Sequence, residues 1–264
     1  MSSYEYFAGC YDVLTGNVDY ERRGEYFHQL MVEYGKTAGI LVDLACGTGS
    51  LSEFFARLSY DVIGVDASED MLSAAMEKKM ESGSDILYLH QRMQELDLFG
   101  TVDIVLCALD SFNHITDAAE LAAVFDRISL FLNEDALLLF DVNTIYKHEQ
   151  VLGNNTFVYD CDEVYCVWQN SLLDHHIVQI DLDLFEYDEE ADCYYREQES
   201  FCERAYSREE IEGFLERAGL DVLAVYADDT RQAPTATSER LIYVAKNREC
   251  RNAVPTESEE LGKE

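Results

Sequence analysis

Gly47 and Gly49, in the run Leu41-Val42-Asp43-Leu44-Ala45-Cys46-Gly47-Thr48-Gly49-Ser50, and Asp66, closing the run Val62-Ile63-Gly64-Val65-Asp66, have the types and spacing to hold a small molecule. Glycines let the main chain approach a ligand closely. A carboxylate at a strand end can accept both hydroxyl protons of a ribose. Farther on, Asp110, Asn113 and His114 follow the apolar run Val102 to Cys107, where they could contact a second molecule, and Asp110 or His114 could take a proton from it.

These groups need a scaffold, and the flanking pattern supplies one. Leu41, Val42 and Leu44 read as a buried strand, Gly47 and Gly49 as a turn, and Leu51, Phe54, Phe55 and Leu58 as a helix starting near Ser50. That helix points free N–H groups and its positive dipole end at the ligand. The second run is a neighbouring parallel strand that delivers Asp66. A dinucleotide fingerprint needs glycines at its first, third and sixth positions, but counting from Gly47 the sixth is Ser52. The acid Asp43 and the small Ala45 and Cys46 before the turn favour a ligand with a charged amino-acid tail over one with a pyrophosphate.

Here the chain resembles the class I S-adenosylmethionine-dependent methyltransferases: Val42 to Ser50 is similar to their first motif and Gly64-Val65-Asp66-Ala67-Ser68 to their second. The resemblance implies S-adenosyl-L-methionine as cofactor, with Asp43, Ala45, Cys46, Gly47, Gly49, Asp66, Ala67, Met71 and Cys107 around it. Met71 would pack on one face of the adenine, or else serve the core. After the third strand, Ile86 to His90, the family usually has an acid that accepts from the adenine amino group, whereas this chain has Arg92. An arginine cannot accept but can stack on a purine, so Arg92 and Met93, the latter through its backbone N–H, are the expected neighbours of the base. The segment Tyr6 to Leu14 resembles an N-terminal cover of small bacterial methyltransferases, which implies Tyr11 near the methionine end.

Ligands of open parallel sheets bind at the carboxyl ends of the strands, which puts Asp110, Asn113 and His114 beside the cofactor. Asp110 and His114 are the candidate bases and Asn113 a candidate substrate contact. The same residues have structural readings: Asp110 and Ser111 as a helix N-cap, and His114 as a buried histidine bonded to backbone.

Composition narrows the partners. With 19 Lys and Arg against 53 Asp and Glu, a net charge of −34, the chain lacks the cations that neutralise phosphates, so nucleic acid is not an expected partner. The charge reads as a solvated surface, or as a field steering a cationic substrate. No apolar run is long enough to span a membrane, and the first residues lack the pattern of a secretory signal, so a cytoplasmic location is expected. The scattered cysteines read as reduced core residues. Cys161 and Cys166 with His175 and His176 fit no usual zinc spacing, and no metal is expected.

The expected fold is a seven-stranded, mostly parallel Rossmann-like α/β sheet with helices on both faces, plus an antiparallel insertion. Residues 1–34 form a helical lid segment, 35–143 and 207–246 the cofactor-binding core, 144–206 the insertion and 247–264 a disordered acidic tail. Alternation of Val178, Ile180, Leu182 and Leu184 with Gln179, Asp181 and Asp183 marks the insertion as strands. It would roof the active site or form a homodimer interface. The expected reaction is in-line methyl transfer to O, N or S of a small-molecule acceptor. A cofactor-binding protein without catalysis and a nicotinamide-dependent oxidoreductase are the other readings.

Overall fold

Strands buried on both faces read as unbroken apolar runs. Such runs form the centre of this molecule, whose computed structural model describes residues 18–161, 164–188 and 191–248. The chain runs α1 (Tyr20–Glu33), β1 (Gly39–Leu44), α2 (Ser50–Ala56), β2 (Tyr60–Asp66), α3 (Glu69–Ser82), β3 (Leu87–His90), β4 (Val102–Cys107), α4 (Ala118–Phe131) and β5 (Leu132–Asn143). Then come β6 (Thr156–Asp160), β7 (Val164–Leu172), β8 (Ile177–Asp188), β9 (Cys193–Arg204), α5 (Arg208–Ala218), β10 (Leu220–Ala227) and β11 (Arg240–Asn247).

The main sheet has seven strands in the order β10-β11-β5-β4-β1-β2-β3. Strands β1 to β5 pair in parallel, while β11 is antiparallel to both β5 and β10. Because successive side chains point to opposite faces, Val42, Leu44, Val105, Leu138 and Phe140 pack with Phe125, Ile128, Ile211 and Leu215 from α4 and α5. Leu41, Ile104, Leu106 and Leu139 instead pack with Phe27, Leu30, Met31, Phe54 and Phe55 from α1 and α2. The helical part of the expected lid segment is thus a core element. Asp19 caps α1 by accepting from the Arg22 N–H at 3.0 Å.

Local signals place most boundaries. Ser68 caps α3 by accepting from Met71 N, and Ser207 with Glu210 forms the capping box that opens α5. Gly83 and Gly219 close these helices in the left-handed conformation. The insertion is a separate antiparallel sheet, β6-β7-β8-β9, with its own apolar cluster of Val164, Cys166, Val178, Ile180, Leu182 and Leu184. A turn of π-helix, Lys147–Leu152, joins it to the end of β5. Among the described residues, no helix is long and apolar enough to cross a membrane.

Candidate active site

The order of the strands reverses at β1, whose neighbours are β2 on one side and β4 on the other, and a crevice opens there at the strands' carboxyl ends. A cavity of about 970 Å³ fills it and continues beneath the four-stranded sheet. One half is lined by Ala45, Gly47, Asp66, Ala67, Met71, Arg92 and Met93.

That half is shaped by backbone. Ala45, Gly47 and Gly49 all have positive φ, at 61°, 54° and 76°. A Cβ on Gly47 would meet nothing within 4 Å, so its backbone borders open space; one on Gly49 would sit 2.4 Å from the Tyr88 hydroxyl. The first glycine therefore leaves the cavity wall open and the second serves the packing of the turn. Asp66 fastens the turn: Oδ2 accepts from the Gly47 N–H at 2.8 Å and Oδ1 from the Ser68 N–H at 2.9 Å. Each oxygen retains a lone pair for a ribose hydroxyl. Burial raises the pKa of Asp66, and these N–H groups pull it back.

Several expected cofactor residues are placed behind this wall rather than on it. Asp43 is 2% exposed and accepts from the Ser52 hydroxyl at 2.6 Å; burial lifts its pKa to about 6. Ser52, which breaks the dinucleotide pattern, is thus the partner of a buried carboxylate. Cys107 is fully buried in the core, where burial raises its pKa, and Cys46 and Gly49, which belong to the turn itself, are not part of the cavity lining. Tyr11 lies outside the described residues.

The far half joins an apolar roof to a polar floor. Phe157, Tyr159, Cys166, Trp168, Ile180, Leu182 and Phe201 come from the inward face of the four-stranded sheet. Asp110, His114, Asn143, Lys147, Glu203 and Arg240 line the opposite side.

The floor is organised by Asp141, which is fully buried at the end of β5. Its oxygens accept from the Leu109 N–H at 2.8 Å and the Asp110 N–H at 3.0 Å, pair with Arg23 at 3.2 Å and also pair with Arg240. Leu109 and Asp110 both have positive φ, 58° and 52°. Left-handed conformation costs roughly 1–2 kcal/mol per non-glycine residue, while hydrogen bonds to a charged group contribute about 1.5–3 kcal/mol each. The Asp141 carboxylate offsets the strain.

Asp110 does not cap a helix. It pairs with Arg240 at 2.8 Å and accepts from Asn143 Nδ2 at 2.6 Å, and α4 is capped by Asp117. Burial opposes its ionisation, but Arg240, Lys147 and His114 outweigh burial and hold the carboxyl below the usual carboxylate range. Asn113 does not reach the cavity: fully buried, it donates to the Asn143 and Arg204 carbonyls at 3.2 and 2.9 Å and accepts from Asn143 N–H at 2.9 Å. It ties β5 to the end of the insertion. His114 does line the cavity, with its ring 5.2 Å from that of Phe201, and burial lowers its pKa.

Glu203 was not singled out by sequence. Its oxygens lie 3.6 Å from His114 Nε2 and 3.8 Å from His148 Nε2. Burial, with Asp110 nearby, lifts its pKa to about 8. The signal lies in register: Glu203 pairs with Val178 and so falls on the face that Val178, Ile180, Leu182 and Leu184 make apolar. A carboxylate at that position has no reason to be there for packing.

Comparison with known proteins gives the chemistry. Residues 41–135 match the methyltransferase domain family. A protein of Geobacillus sp. strain WCH70, provisionally named a methyltransferase, is 34% identical over 246 residues, covering 92% of this chain and 99% of that protein. The chain belongs to the class I S-adenosylmethionine-dependent methyltransferases. YqeM of Bacillus subtilis, also provisionally named a methyltransferase, is 33% identical over 92% of this chain and 96% of its own length. A crystal structure of an S-adenosylmethionine-dependent methyltransferase from Clostridium acetobutylicum aligns with a TM-score of 0.84 at 34% identity, covering 92% and 98% of the two chains. The open cradle at Gly47 and the ribose-competent Asp66 suit the cofactor, which supplies a methyl group activated on a sulfonium.

Proposed function

We propose that this methyltransferase transfers the methyl group to a proton-bearing oxygen or nitrogen of a small acceptor whose apolar body lies on the aromatic face of the insertion, with Glu203 as the general base. The observation that carries this reading is the continuity of the cavity from Gly47 and Asp66 to Trp168 and Phe201, with Glu203 among the residues that line it. The Asp66 carboxylate would bind the ribose, Met71 would pack on one face of the adenine with Arg92 stacked on it, Met93 would offer its backbone N–H to the base, and the Gly47 backbone would border the amino-acid tail.

The reaction is an in-line displacement. Bound in the cavity, the cofactor would supply the activated methyl group and leave as S-adenosylhomocysteine, and Glu203 would take the proton that the acceptor gives up. Positioning and exclusion of water carry most of the acceleration. With a pKa of about 8, Glu203 matches the proton affinity a base needs near neutrality. Asp110, held anionic by Arg240, is too weak a base for this task and instead orients Asn143 and the floor. The insertion acts as a roof. A cytoplasmic site of action agrees with the free thiols of all six described cysteines.

Two measurements test the reading. Calorimetric titration with S-adenosylmethionine and S-adenosylhomocysteine should show micromolar binding that Asp66→Ala abolishes. A screen of hydroxyl- and amine-bearing aromatic acceptors, read as S-adenosylhomocysteine formed, should give turnover that rises with pH through about 8 and loses that rise in Glu203→Gln. Tight cofactor binding without turnover of any such acceptor would overturn the assignment of acceptor class.

A further inference from the structure

The charges lining the cavity do not resemble the charge of the molecule as a whole. Asp110 and Asp141 are matched by Arg240 and Arg23 in one ion-pair cluster on the floor. Lys147 lies outside that cluster. Its ammonium group donates to Asn143 Oδ1 at 3.0 Å, and among the described residues no carboxylate approaches it within 4.0 Å. Asp110, Glu203 and Glu239 act on it only from a greater distance, while Arg240 repels it. A largely buried cation held by a single neutral partner is costly, and this one lines the same cavity as the aromatic roof. The cost is recovered when an anion enters.

The opposite wall defines the rest of that molecule. Phe157 and Tyr159 pack on Trp168, with ring centres 6.0 and 6.2 Å apart, and the indole N–H is already used by Asn170 at 2.6 Å. The indole therefore offers a ring face and no donor. Leu152, Ile180 and Leu182 extend the apolar wall.

We propose that the acceptor is an amphipathic carboxylic acid, its apolar or aromatic body against Trp168 and its carboxylate on Lys147, leaving a separate hydroxyl or amine at Glu203. This rests on the acceptor site proposed above. It also reverses the expectation from net charge: a total of −34 favours cationic ligands at long range, but that field is screened within about 8 Å at physiological salt. The local ammonium then decides what is held.

Trp168 is the only tryptophan in the chain, so its fluorescence reports the roof directly. With S-adenosylhomocysteine bound, the full-length protein is titrated with phenylacetate, phenylacetamide and phenethylamine, which share a body and differ in charge. Phenylacetate should produce a saturable change at least tenfold tighter than the isosteric amide, and Lys147→Met should remove that preference. S-adenosylhomocysteine affinity should be unchanged in the variant, which shows that it is folded. Lys147→Arg should keep the preference. If the amide binds as tightly as the acid, or the amine binds more tightly, the inference is overturned while the roof remains the acceptor site. If no probe perturbs Trp168, the acceptor site itself is overturned.

Discussion

The two halves of the cavity are built in different ways. The cofactor half comes from short stretches, within residues 45–47, 66–71 and 91–94, each at the end of one strand or the start of one helix. The other half, proposed to hold the acceptor, joins the loop after β4, the end of β5, the π-turn, all four strands of the insertion and the first residue of β11. Backbone geometry makes the first half, so substitutions there act locally. Buried charge makes the second, so a change at one group is felt by all its partners.

Asp141 provides the strongest test of that difference. Asp141→Ala leaves Arg23 and Arg240 without their shared carboxylate and Leu109 and Asp110 without a support for their strained backbone. Breaking a buried pair costs about 3–5 kcal/mol, and chemical denaturation should show a loss of that size. An unchanged stability would mean that the acceptor floor is no more cooperative than the cofactor turn.

Asp66→Ala probes the other half. Two hydrogen bonds between a carboxylate and ribose hydroxyls are worth about 1.5–3 kcal/mol each, so calorimetry should show cofactor affinity falling by about a hundredfold or more. The accompanying loss of stability should be smaller than for Asp141→Ala, since only the Gly47 and Ser68 N–H groups lose a partner.

Glu203→Gln should lower kcat by about a hundredfold at pH 8, within the usual range for a general base, and leave cofactor affinity intact. The sign of its pH effect can be worked out. Its folded pKa is raised from 4.5 to about 8, so between those values the folded state holds a proton that the unfolded state has released. Stability contributed by this group is therefore present below pH 4.5 and is lost as pH rises to 8. On the proposed mechanism activity moves the opposite way, because the carboxylate is the base. Melting temperatures from pH 5 to 9 should fall less steeply in Glu203→Gln than in the parent.

The smallest effects compare the glycines. In Gly47→Ala, the methyl group enters open space on the ligand side and should weaken cofactor binding about tenfold, while the roughly 1–2 kcal/mol of left-handed strain lowers stability. In Gly49→Ala, the methyl group collides with Tyr88 and should lower the melting temperature more than Gly47→Ala does. Equal effects on both properties would erase the division of labour in the turn.

Much of the fold was readable because its signals are local. The strand-turn-helix around Gly47, the Ser68 cap, the capping box at Ser207 and the alternation in β8 each depend on residues close together in the chain. Asp66 was readable for the same reason. Asn113 was misplaced because proximity to a strand end fixes where a backbone lies, not which way a side chain turns; the amide turned inward to satisfy three backbone groups. Asp110 lines the cavity, but its proton affinity depends on Arg240, more than a hundred residues away in sequence.

The sequence by itself determined the parallel α/β core, the nucleotide-type turn with its acidic partner and the presence of an antiparallel insertion, because hydrophobic period and turn chemistry act over a few residues. Only the tertiary structure decided that the insertion's apolar face closes over the cofactor crevice, that Asp110 is locked in an ion pair, and that Glu203 and Lys147 line the same cavity. Burial and charge pairing are properties of groups brought together from distant parts of the chain, and they set proton affinity and ligand preference.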